Sequence, residues 1–338
     1  MSSRRRFLSI AATCAALAPW HAVRAAAAPP PCVWRGTAMG ALASITLVHP
    51  DRARAQAQLE ACVRELQRLE DIFSLYRADS ALSRLNAQGE LPGPPHELVE
   101  LLAFSLSLSQ RSAGAFDPTM QPLYRLYANH FATPGCAPGG PRPQAIERVL
   151  RLVDFRAVEL RPDLVRLRRP GMAITLNGVA QGYVTDRVTD LLRAADFGDV
   201  LIDLGEVRAL GHRADGQAWR AGIVDPRDLT HTIVELPLGQ DRGALPALAT
   251  SAGYGTPFGT DPRIHHLLDP RTGRSANHYL SVSVAASRAT LADGLSTALA
   301  IGPPAQATTL LRAYPSTRVY LVGPEGRLEM LDATRSPT

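Results

Sequence analysis

Residues 264–302 read IHHLLDPRTGRSANHYLSVSVAASRATLADGLSTALAIG, and this stretch contains three structural signals in order. Residues 269–273 (DPRTG) predict a turn, because Pro fixes one backbone angle and Gly permits a left-handed one. The alternation of apolar and polar residues over Tyr279–Ala285 predicts a half-buried strand. Residues 290–301 then predict a helix, which stops at Gly302 before two prolines.

The predicted helix carries three oxygen-bearing side chains on one face. Asp293 and Thr297 are four residues apart with Ser296 beside them, and residues three or four apart share a helix face. With Ser287 or Thr290 as the N-cap, this face lies near the helix start, which favours anions. Such oxygens suit Mg²⁺, which usually keeps positions open for substrate phosphates. The pattern indicates either a metal–phosphate site or an ordinary solvated helix face.

Composition excludes several function classes. The chain has 338 residues and a formal net charge of +5, but four arginines and no acid fall within the first 27 residues. No basic stripe remains that would indicate nucleic-acid binding. Lysine is absent, which excludes a P-loop lysine and Schiff-base chemistry. The cysteines are too few and too widely spaced for a zinc site or a full disulfide set, and we expect free thiols at Cys32, Cys62 and Cys136.

The N-terminal segment, residues 1–27, has the features of an export signal. SRRRFL at residues 3–8 matches a twin-arginine signal, an apolar run follows, and residues 25–27 are three alanines suited to cleavage. Pro19 interrupts the run, which is too short to span a membrane. We expect export to the periplasm by the twin-arginine pathway, with a Sec-type leader as the alternative. Residues 28–338 are then one mature domain without a transmembrane segment.

The mature chain mixes helical and strand patterns without a regular βαβ rhythm, which predicts an α+β protein. Apolar spacing predicts helices at Arg52–Phe73 and Glu97–Ser112, and Trp34–Val48 reads as a single strand. Glycine-containing turns, where backbone groups can approach a ligand closely, occur at residues 114–118 (GAFDP) and 177–183 (NGVAQGY). An ordinary Asp-Pro turn and a plain helix entry are the alternatives for these two turns.

Shorter elements are predicted along the rest of the chain. Helices are expected up to residue 85 and at residues 146–153, 184–195 and 304–313. Strands are expected at residues 157–160, 164–167, 173–176, 199–204, 219–224, 232–238, 318–322 and 327–331, and from residue 248 into a small-residue turn at residue 254. The strands at residues 318–322 and 327–331 are expected to form a closing hairpin.

Seven short motifs follow one another in an order that resembles the ApbE family of FAD:protein FMN transferases. They are TAMG at 37–40, FSLY at 73–76 with Ser80, GAFDP at 114–118, NGVAQGYVTD at 177–186, ATSAGY at 249–254, HLLDPRTG at 266–273, and AD at 292–293 with TAL at 297–299. Each motif alone is weak, whereas seven in order over residues 33–323 are specific. The sequences LNGVAQGYVTD, DLGE and LATSAGYGT are similar to those of the NosX branch, which consists of exported flavin transferases that serve nitrous-oxide respiration.

The resemblance implies a T-fold-related α+β architecture of mixed sheets and packed helices, with two lobes around a central flavin cleft. It implies an enzyme that binds FAD and Mg²⁺ and attaches FMN through a phosphoester bond to a Thr or Ser of a target flavoprotein, with release of AMP. The branch implies a respiratory target, such as a membrane-bound NosR-like protein. No nucleic-acid partner is implied.

The resemblance also implies roles for individual residues. His266 and Asp293 are the implied catalytic residues, with His266 as base toward the acceptor hydroxyl. The implied metal ligands are the side chains of Asp293 and Thr297 and the carbonyl of Gly178, with Ser296 nearby. The predicted FAD-contacting residues are Met39, Tyr76, Ala115, Phe116, Asp117, Thr175, Gln181 and Leu268.

The sequence departs from the family pattern at three positions. Thr175 stands for the usual acid, Gln181 for the usual Lys, and Glu206 for the second Gly of a Gly-Gly pair. Thr175 and Gln181 are neutral but can still hydrogen-bond to polar edges of FAD. His265 is an alternative to His266 as base, and a structural histidine tied into the following turn is also open. Two further functions stay open: an FAD pyrophosphatase that yields FMN and AMP, and a non-catalytic periplasmic FAD carrier.

Overall fold

The structure is a computed structural model that describes residues 29–239, 241 and 243–332. The described residues combine helices with antiparallel sheets, which confirms the predicted α+β class. The predicted export signal at residues 1–27 lies outside the described residues. None of the helices within the described ranges is long and apolar enough to cross a membrane.

The secondary structure has the following bounds. The helices are α1 (Arg52–Phe73), α2 (Ala81–Gln88), α3 (His96–Arg111), α4 (Gln121–Ala132), α5 (Pro143–Leu150), α6 (Ala180–Ala194), α7 (Ala289–Ile301) and α8 (Pro304–Arg312). The strands are β1 (Cys32–Ala38), β2 (Ala41–Val48), β3 (Glu90–Pro92), β4 (Val158–Arg161), β5 (Leu164–Leu167), β6 (Asp199–Asp203), β7 (Val207–Leu210), β8 (Trp219–Asp225), β9 (Asp228–Leu238), β10 (Ala247–Ala252), β11 (Ser281–Ala286), β12 (Arg318–Val322) and β13 (Leu328–Asp332).

An antiparallel sheet of eight strands organises the described residues, in the order β1-β2-β6-β7-β10-β11-β12-β13. Successive side chains of a strand point to opposite faces, so each central strand serves two cores. In β11, Val282 and Val284 pack in the core that contains α1, α6 and α7. Ala285, the residue after Val284, points to the other face and packs with Trp219 and Ile223 of the β8–β9 hairpin. Strands β3, β5 and β4 form a separate small sheet.

Helix α1 has the bounds that its apolar spacing predicts. Asp51 precedes the first turn as N-cap, and its carboxylate accepts a hydrogen bond of 2.9 Å from the backbone N–H of Arg54. This contact satisfies one of the amides that a helix start leaves unpaired. The buried face runs from Ala55 through Leu66 to Phe73 and packs into the main core. The helix therefore forms from both a local cap and burial of one stripe.

The single strand predicted at Trp34–Val48 is wrong, because the chain reverses at Met39 and Gly40 and forms the β1–β2 hairpin. Both turn residues have positive φ, 52° for Met39 and 82° for Gly40. Two left-handed residues are what a tight hairpin turn requires, and Met is a poor fit for such a backbone. The N–H of Met39 donates to Glu70 of α1 at 2.6 Å, and this contact helps to hold the turn. The tip of this hairpin lies at the cavity described below.

Two further differences have identifiable causes. Residues 173–176 do not form the predicted strand, because Asn86 from α2 replaces the neighbouring strand: it accepts from the N–H of Ile174 at 2.6 Å and donates to its carbonyl at 2.8 Å. Helix α4 was not predicted, since Pro122 obscures its start, although Pro is compatible with a first helical turn.

The start of α7 is capped from another helix rather than by its own flanking residues. Arg288 occupies the N-cap position without a side-chain cap, so the prediction of Ser287 or Thr290 there is wrong. The carboxylate of Asp186 on α6 accepts instead from the N–H groups of Ala289 and Thr290, each at 2.9 Å, and from the Thr290 hydroxyl at 2.6 Å. This contact fixes α7 against α6, which matters because α7 carries the candidate metal ligands.

Asp186 also neutralises positive charge that is buried at the same place. It is fully buried and pairs with the buried guanidinium of Arg208 and, at 3.2 Å, with Arg288. Asp190, one turn later on α6, is partly exposed; it pairs with Arg288 at the same distance and with Arg208 at a longer distance of 3.6 Å. A buried ion that loses its partner is far more costly than an exposed one.

We expect Asp186→Asn to lower the free energy of unfolding by about 3 kcal/mol, because the buried guanidinium of Arg208 loses its main counter-charge. Chemical denaturation followed by circular dichroism measures this change. The matched control is Asp190→Asn on the same helix, for which we expect about 1 kcal/mol or less. Equal losses in the two variants would contradict a capping and pairing role for Asp186.

Candidate active site

One cavity of about 270 Å³ collects nearly all of the residues singled out from the sequence. Its wall includes the β1–β2 turn, the segments after α1 and α3, the start of α4, the entrance of α6, the β6–β7 turn and the end of β10. The loop between β10 and β11 and one face of α7 complete it. The FAD-contacting residues predicted from the sequence all lie in this wall: Met39, Tyr76, Ala115, Phe116, Asp117, Thr175, Gln181 and Leu268. His266, Gly178, Asp293 and Thr297 line the same cavity.

A close contact between α6 and α7 places the carboxylate of Asp293. The N–H of Gly182, in the first turn of α6, donates to Asp293 Oδ2 at 3.0 Å. A Cβ atom on Gly182 would lie 2.4 Å from the carbonyl oxygen of Ala289 and 2.8 Å from Asp293 Cβ. No side chain fits there without separating the helices, so a glycine is required for this approach.

The carbonyl of Gly178 lies just before the N-cap of α6. Gly182 is the third residue of α6, so its N–H is one of the amides that a helix start leaves without a helical partner. It donates to Asp293 instead, and no backbone N–H among the described residues donates to the Gly178 oxygen. Gly178 also lies close to α7, since a Cβ atom there would be 3.1 Å from Thr297 Oγ1. A backbone carbonyl, a carboxylate and a hydroxyl are thus brought to one part of the cavity.

This part of the cavity contains acidic side chains that have no cationic partner among the described residues. Asp293 is buried and forms no ion pair among the described residues, and burial raises its pKa to about 7. Glu206 is 7% exposed, and its Oε2 has no hydrogen-bond partner among the described residues. Burial, followed by the charges of Asp293 and Asp203, raises the pKa of Glu206 well above its usual value. Burial likewise raises the pKa of Asp203 to about 6.

The donor atoms fit Mg²⁺ better than a softer metal. Asp293, Thr297 and Gly178 offer only oxygen, and a buried carboxylate without a cationic partner is stabilised by a divalent ion. The described residues contain no group of three or more His, Cys, Asp or Glu that could hold a metal alone. Mg²⁺ commonly binds to one or two carboxylates and completes its shell with water and substrate phosphates.

Ser296 does not take the position predicted for it. It is 1% exposed and does not line the cavity. Its hydroxyl donates to the carbonyl of Asp293 at 2.9 Å and bonds to the hydroxyl of Ser251 at 2.8 Å. The three-residue and four-residue spacings share a helix face only approximately, and here Thr297 faces the cavity while Ser296 faces β10.

The two neighbouring histidines have different surroundings. His266 lines the cavity, and its Nδ1 is buried without a partner among the described residues. Burial, and then the charge of His265, lowers the pKa of His266 to about 4. His265 lies behind the wall, packs against Gly253, and its Nδ1 accepts from the N–H of Leu267 at 3.3 Å. The geometry therefore favours His266 over His265 as the ring that can meet a substrate.

The predicted flavin-contacting residues differ in how free their polar atoms are. Asp117 accepts from the N–H and hydroxyl of Thr119 and from the N–H of Phe155, so its carboxylate shapes the turn that it begins. The Gln181 amide lies over Gly205 and donates to the carbonyl of Leu204 at 3.4 Å, a long contact. A bound molecule can replace such a weak hydrogen bond readily.

Sequence reasoning assigned no role to two residues that the structure places at the site. Glu206 was noted only as a departure from a Gly-Gly pair. An acidic residue in place of a glycine is the sequence signal that could have indicated its place at the site. Ser251 lies within the quoted ATSAGY motif, but its contact with Thr297 at 3.1 Å depends on how β10 lies beside α7. No local pattern reports that distance.

We expect the ring of His266 to titrate near pH 4, well below the ordinary value of about 6.5, because burial disfavours its charged form. A ¹H–¹³C NMR titration of the ring measures this midpoint. Between about pH 6.5 and 4 the unfolded chain binds a proton that the folded chain does not. The contribution of His266 to stability is therefore present above this range and is lost as the pH falls.

The His266→Gln variant is the control for that titration. It identifies the ring signal by its absence, and its free energy of unfolding should fall less steeply than that of the wild type on acidification. In urea, the same signal should return to an ordinary midpoint. A folded-state midpoint at or above 6.5 would show that the ring is not held neutral by burial.

Comparison with known proteins identifies the family of this chain. A family model described as the ApbE family matches residues 39–321. The FAD:protein FMN transferase of Treponema pallidum is 32% identical over 296 residues, which cover 82% of this chain and 80% of the relative. The FAD:protein FMN transferase of Salmonella typhimurium is 28% identical over 314 residues, which cover 89% and 86% of the two chains.

Solved structures show the same fold. The apo flavinyl transferase ApbE of Pseudomonas stutzeri superposes with a TM-score of 0.72 at 26% identity and covers 90% of this chain and 96% of its own. The ApbE protein of Thermotoga maritima superposes with a TM-score of 0.76 at 26% identity, covering 89% and 96%. From the sequence match along residues 39–321 and the shared fold, the chain belongs to the ApbE family.

Proposed function

We propose that this protein is a Mg²⁺-dependent FAD:protein FMN transferase that attaches FMN to a Thr or Ser of a target flavoprotein and releases AMP. The observation that carries the proposal is the shared cavity: His266 faces the same space as Asp293, Thr297 and the Gly178 carbonyl. A base and a set of oxygen donors in one cavity are what transfer of a phosphoryl group to a hydroxyl requires.

The cation would be held by Asp293, Thr297 and the carbonyl of Gly178. When bound there, Mg²⁺ supplies positive charge that stabilises the diphosphate and the departing AMP. The protein's contribution is to keep the three oxygens in place, through the Gly182 contact to Asp293 and the capping of α7 by Asp186. Because the protein offers few ligands, the phosphates of FAD are expected to complete the shell.

His266 would take the proton of the acceptor hydroxyl. The hydroxyl oxygen forms a new bond to the phosphorus of the FMN half, the bond from that phosphorus to the AMP oxygen breaks, and AMP leaves with the electron pair. Burial keeps the His266 ring neutral at pH 7, so it can accept a proton. The negative charge of bound diphosphate raises the pKa of a nearby ring and makes it a better base.

The flavin and adenine would lie along the remaining wall. Phe116 and Met39 supply apolar surface, and the exposed ring of Tyr76 stands at the mouth of the cavity. Thr175 and Gln181 supply neutral hydrogen-bonding groups in place of charged ones. Pockets of this kind, mostly apolar with few polar groups, bind and orient large planar ligands.

We further propose that the protein acts in the periplasm after twin-arginine export and serves nitrous-oxide respiration. The SRRRFL sequence at residues 3–8 supports the export route, and three motifs with NosX-like sequences support the respiratory role. A NosR-like respiratory flavoprotein with an exposed Ser or Thr acceptor is the proposed target. Folding before export suits an enzyme whose site depends on contacts between distant segments.

We expect purified protein to transfer flavin to a respiratory acceptor domain when FAD and Mg²⁺ are present, with one AMP released per flavin attached. In-gel flavin fluorescence after denaturation and chromatography of AMP measure the two products. Asp293→Asn should lower the rate by about 100-fold or more, because charge stabilisation by the cation is lost. His266→Ala should lower it by about 100-fold.

The matched control is the same acceptor domain with its acceptor threonine replaced by valine, which should stay unlabelled. Release of FMN and AMP at the same rate without any acceptor, and no covalent flavin with it, would make the protein a pyrophosphatase. Tight FAD binding without Mg²⁺-dependent AMP release would make it a carrier. Either result contradicts the proposed transfer.

For export, we expect Arg4→Lys combined with Arg5→Lys to leave the full-length precursor in the cytoplasm, because the pathway's receptor reads the arginine pair. Fractionation followed by immunoblotting measures the distribution. Arg24→Lys, also within the predicted leader, serves as control and should be exported normally. Normal export of the double variant would argue against the twin-arginine route.

A further inference from the structure

Four oxygen atoms form a continuous hydrogen-bonded chain beside the cavity. Thr297 Oγ1 is 3.1 Å from Ser251 Oγ, and Ser251 Oγ is 2.8 Å from Ser296 Oγ. Ser296 Oγ in turn lies 2.9 Å from the backbone carbonyl oxygen of Asp293. Ser251 comes from β10 and the other three residues from α7, so the chain ties the sheet to the helix. We call these four groups the hydroxyl relay.

The direction of every proton in the hydroxyl relay follows from its last member. A carbonyl oxygen has no proton, so Ser296 must donate to the Asp293 carbonyl. A hydroxyl has one proton, so Ser296 can only accept from Ser251, and Ser251 must donate to it. Ser251 can then only accept from Thr297. Thr297 therefore donates to Ser251 and has only lone pairs left for the cavity.

A threonine in a helix would otherwise have a different choice. Its hydroxyl commonly donates to the carbonyl four residues earlier, which for Thr297 is that of Asp293. Ser296 already donates to that carbonyl, and the proton of Thr297 is directed to β10 instead. The oxygen of Thr297 is thus held in one orientation, in a position that lines the cavity.

We propose that the hydroxyl relay makes Thr297 an acceptor-only ligand for the cation, with Ser251 as the positioning residue and Ser296 as the group that fixes the proton direction. The inference rests on the proposed function, because it takes the cation site at Asp293, Thr297 and Gly178 as given. A hydroxyl that points its proton at a cation repels it, whereas one whose proton is held elsewhere coordinates it. The relay also couples two ligands, since it starts at Thr297 and ends at Asp293.

The relay separates the roles of two adjacent serine and threonine hydroxyls. Ser296 lies outside the cavity wall, where its hydroxyl already bonds to Ser251 and to the Asp293 carbonyl. Thr297 lies at the cavity. Residues that hold a metal ligand in this way commonly change the metal affinity by 10- to 100-fold when they are removed. Removal of Ser251 or Ser296 should therefore weaken cation binding, although neither is a proposed ligand.

The experiment measures Mn²⁺ binding to the purified protein by electron paramagnetic resonance, with Mn²⁺ as a probe for Mg²⁺ and without FAD. We expect Ser251→Ala to raise the Kd by about 10-fold or more. Ser296→Ala should raise it in the same direction by a smaller factor, because Ser251 then becomes free to turn its proton toward Thr297. In turnover assays both variants should need more Mg²⁺ for half-maximal rate.

Ser283→Ala is the matched control. Ser283 is a buried serine of β11 whose hydroxyl bonds to that of Thr250 at 2.8 Å, outside the relay. Its removal costs a comparable buried hydrogen bond and should leave the Mn²⁺ Kd unchanged. Circular dichroism shows which variants fold, and Ser296→Ala alone suffices if Ser251→Ala does not.

The outcomes separate the relay from the proposed function. If wild type binds Mn²⁺ and Asp293→Asn abolishes binding, while Ser251→Ala and Ser296→Ala bind like Ser283→Ala, the cation site stands and the relay is wrong. If wild type binds no Mn²⁺ either alone or with FAD present, both the cation site and the relay are wrong. A loss of maximal rate with unchanged cation affinity would also overturn the relay.

Discussion

The site depends on one hydrogen bond, from the N–H of Gly182 to the carboxylate of Asp293. It exists only because position 182 has no side chain and α6 can approach the backbone of Ala289. The bond gives a partner to an amide that the start of α6 leaves unpaired, and it fixes a carboxylate of the cavity wall. Asp186, on the same face of α6, caps α7 and reinforces the arrangement. Helix packing, capping and ligand placement are therefore a single structural feature.

The acidic residues around this feature divide into two kinds. Asp186 is buried but paired with Arg208 and Arg288, so its charge contributes to structure. Asp293 and Glu206 are buried without a cationic partner in the described part of the chain, which raises the pKa of each. A buried carboxyl group without a partner destabilises a fold when it ionises, and groups with such shifted pKa values are typical of functional sites. A positive ligand would therefore stabilise the protein at Asp293 and Glu206, where no arginine of the described ranges does so, and not at Asp186.

Local periodicity was sufficient for much of the fold and for part of the site. The spacing in α1 fixed its bounds, and the four-residue spacing of Asp293 and Thr297 put both at the cavity, because helix geometry is set by near neighbours. It failed where distant residues decide. The left-handed Met39 turn contacts Glu70 on α1, and Asn86 takes the place of a strand beside Ile174. Which of two adjacent hydroxyls faces the cavity depended on β10, which no helical pattern contains.

The strand order has a consequence for how the chain reaches this state. Strand β2 pairs with β6, so that Ser44 lies opposite Asp203, and the intervening segment contains most of the helices. Contacts between residues so far apart in sequence can form only after a large loss of chain entropy. Proteins with this high contact order fold slowly and expose unpaired strand edges while they do so. The wall of the cavity draws on segments from Met39 to Ile301, so the cavity is complete only once these distant segments have come together.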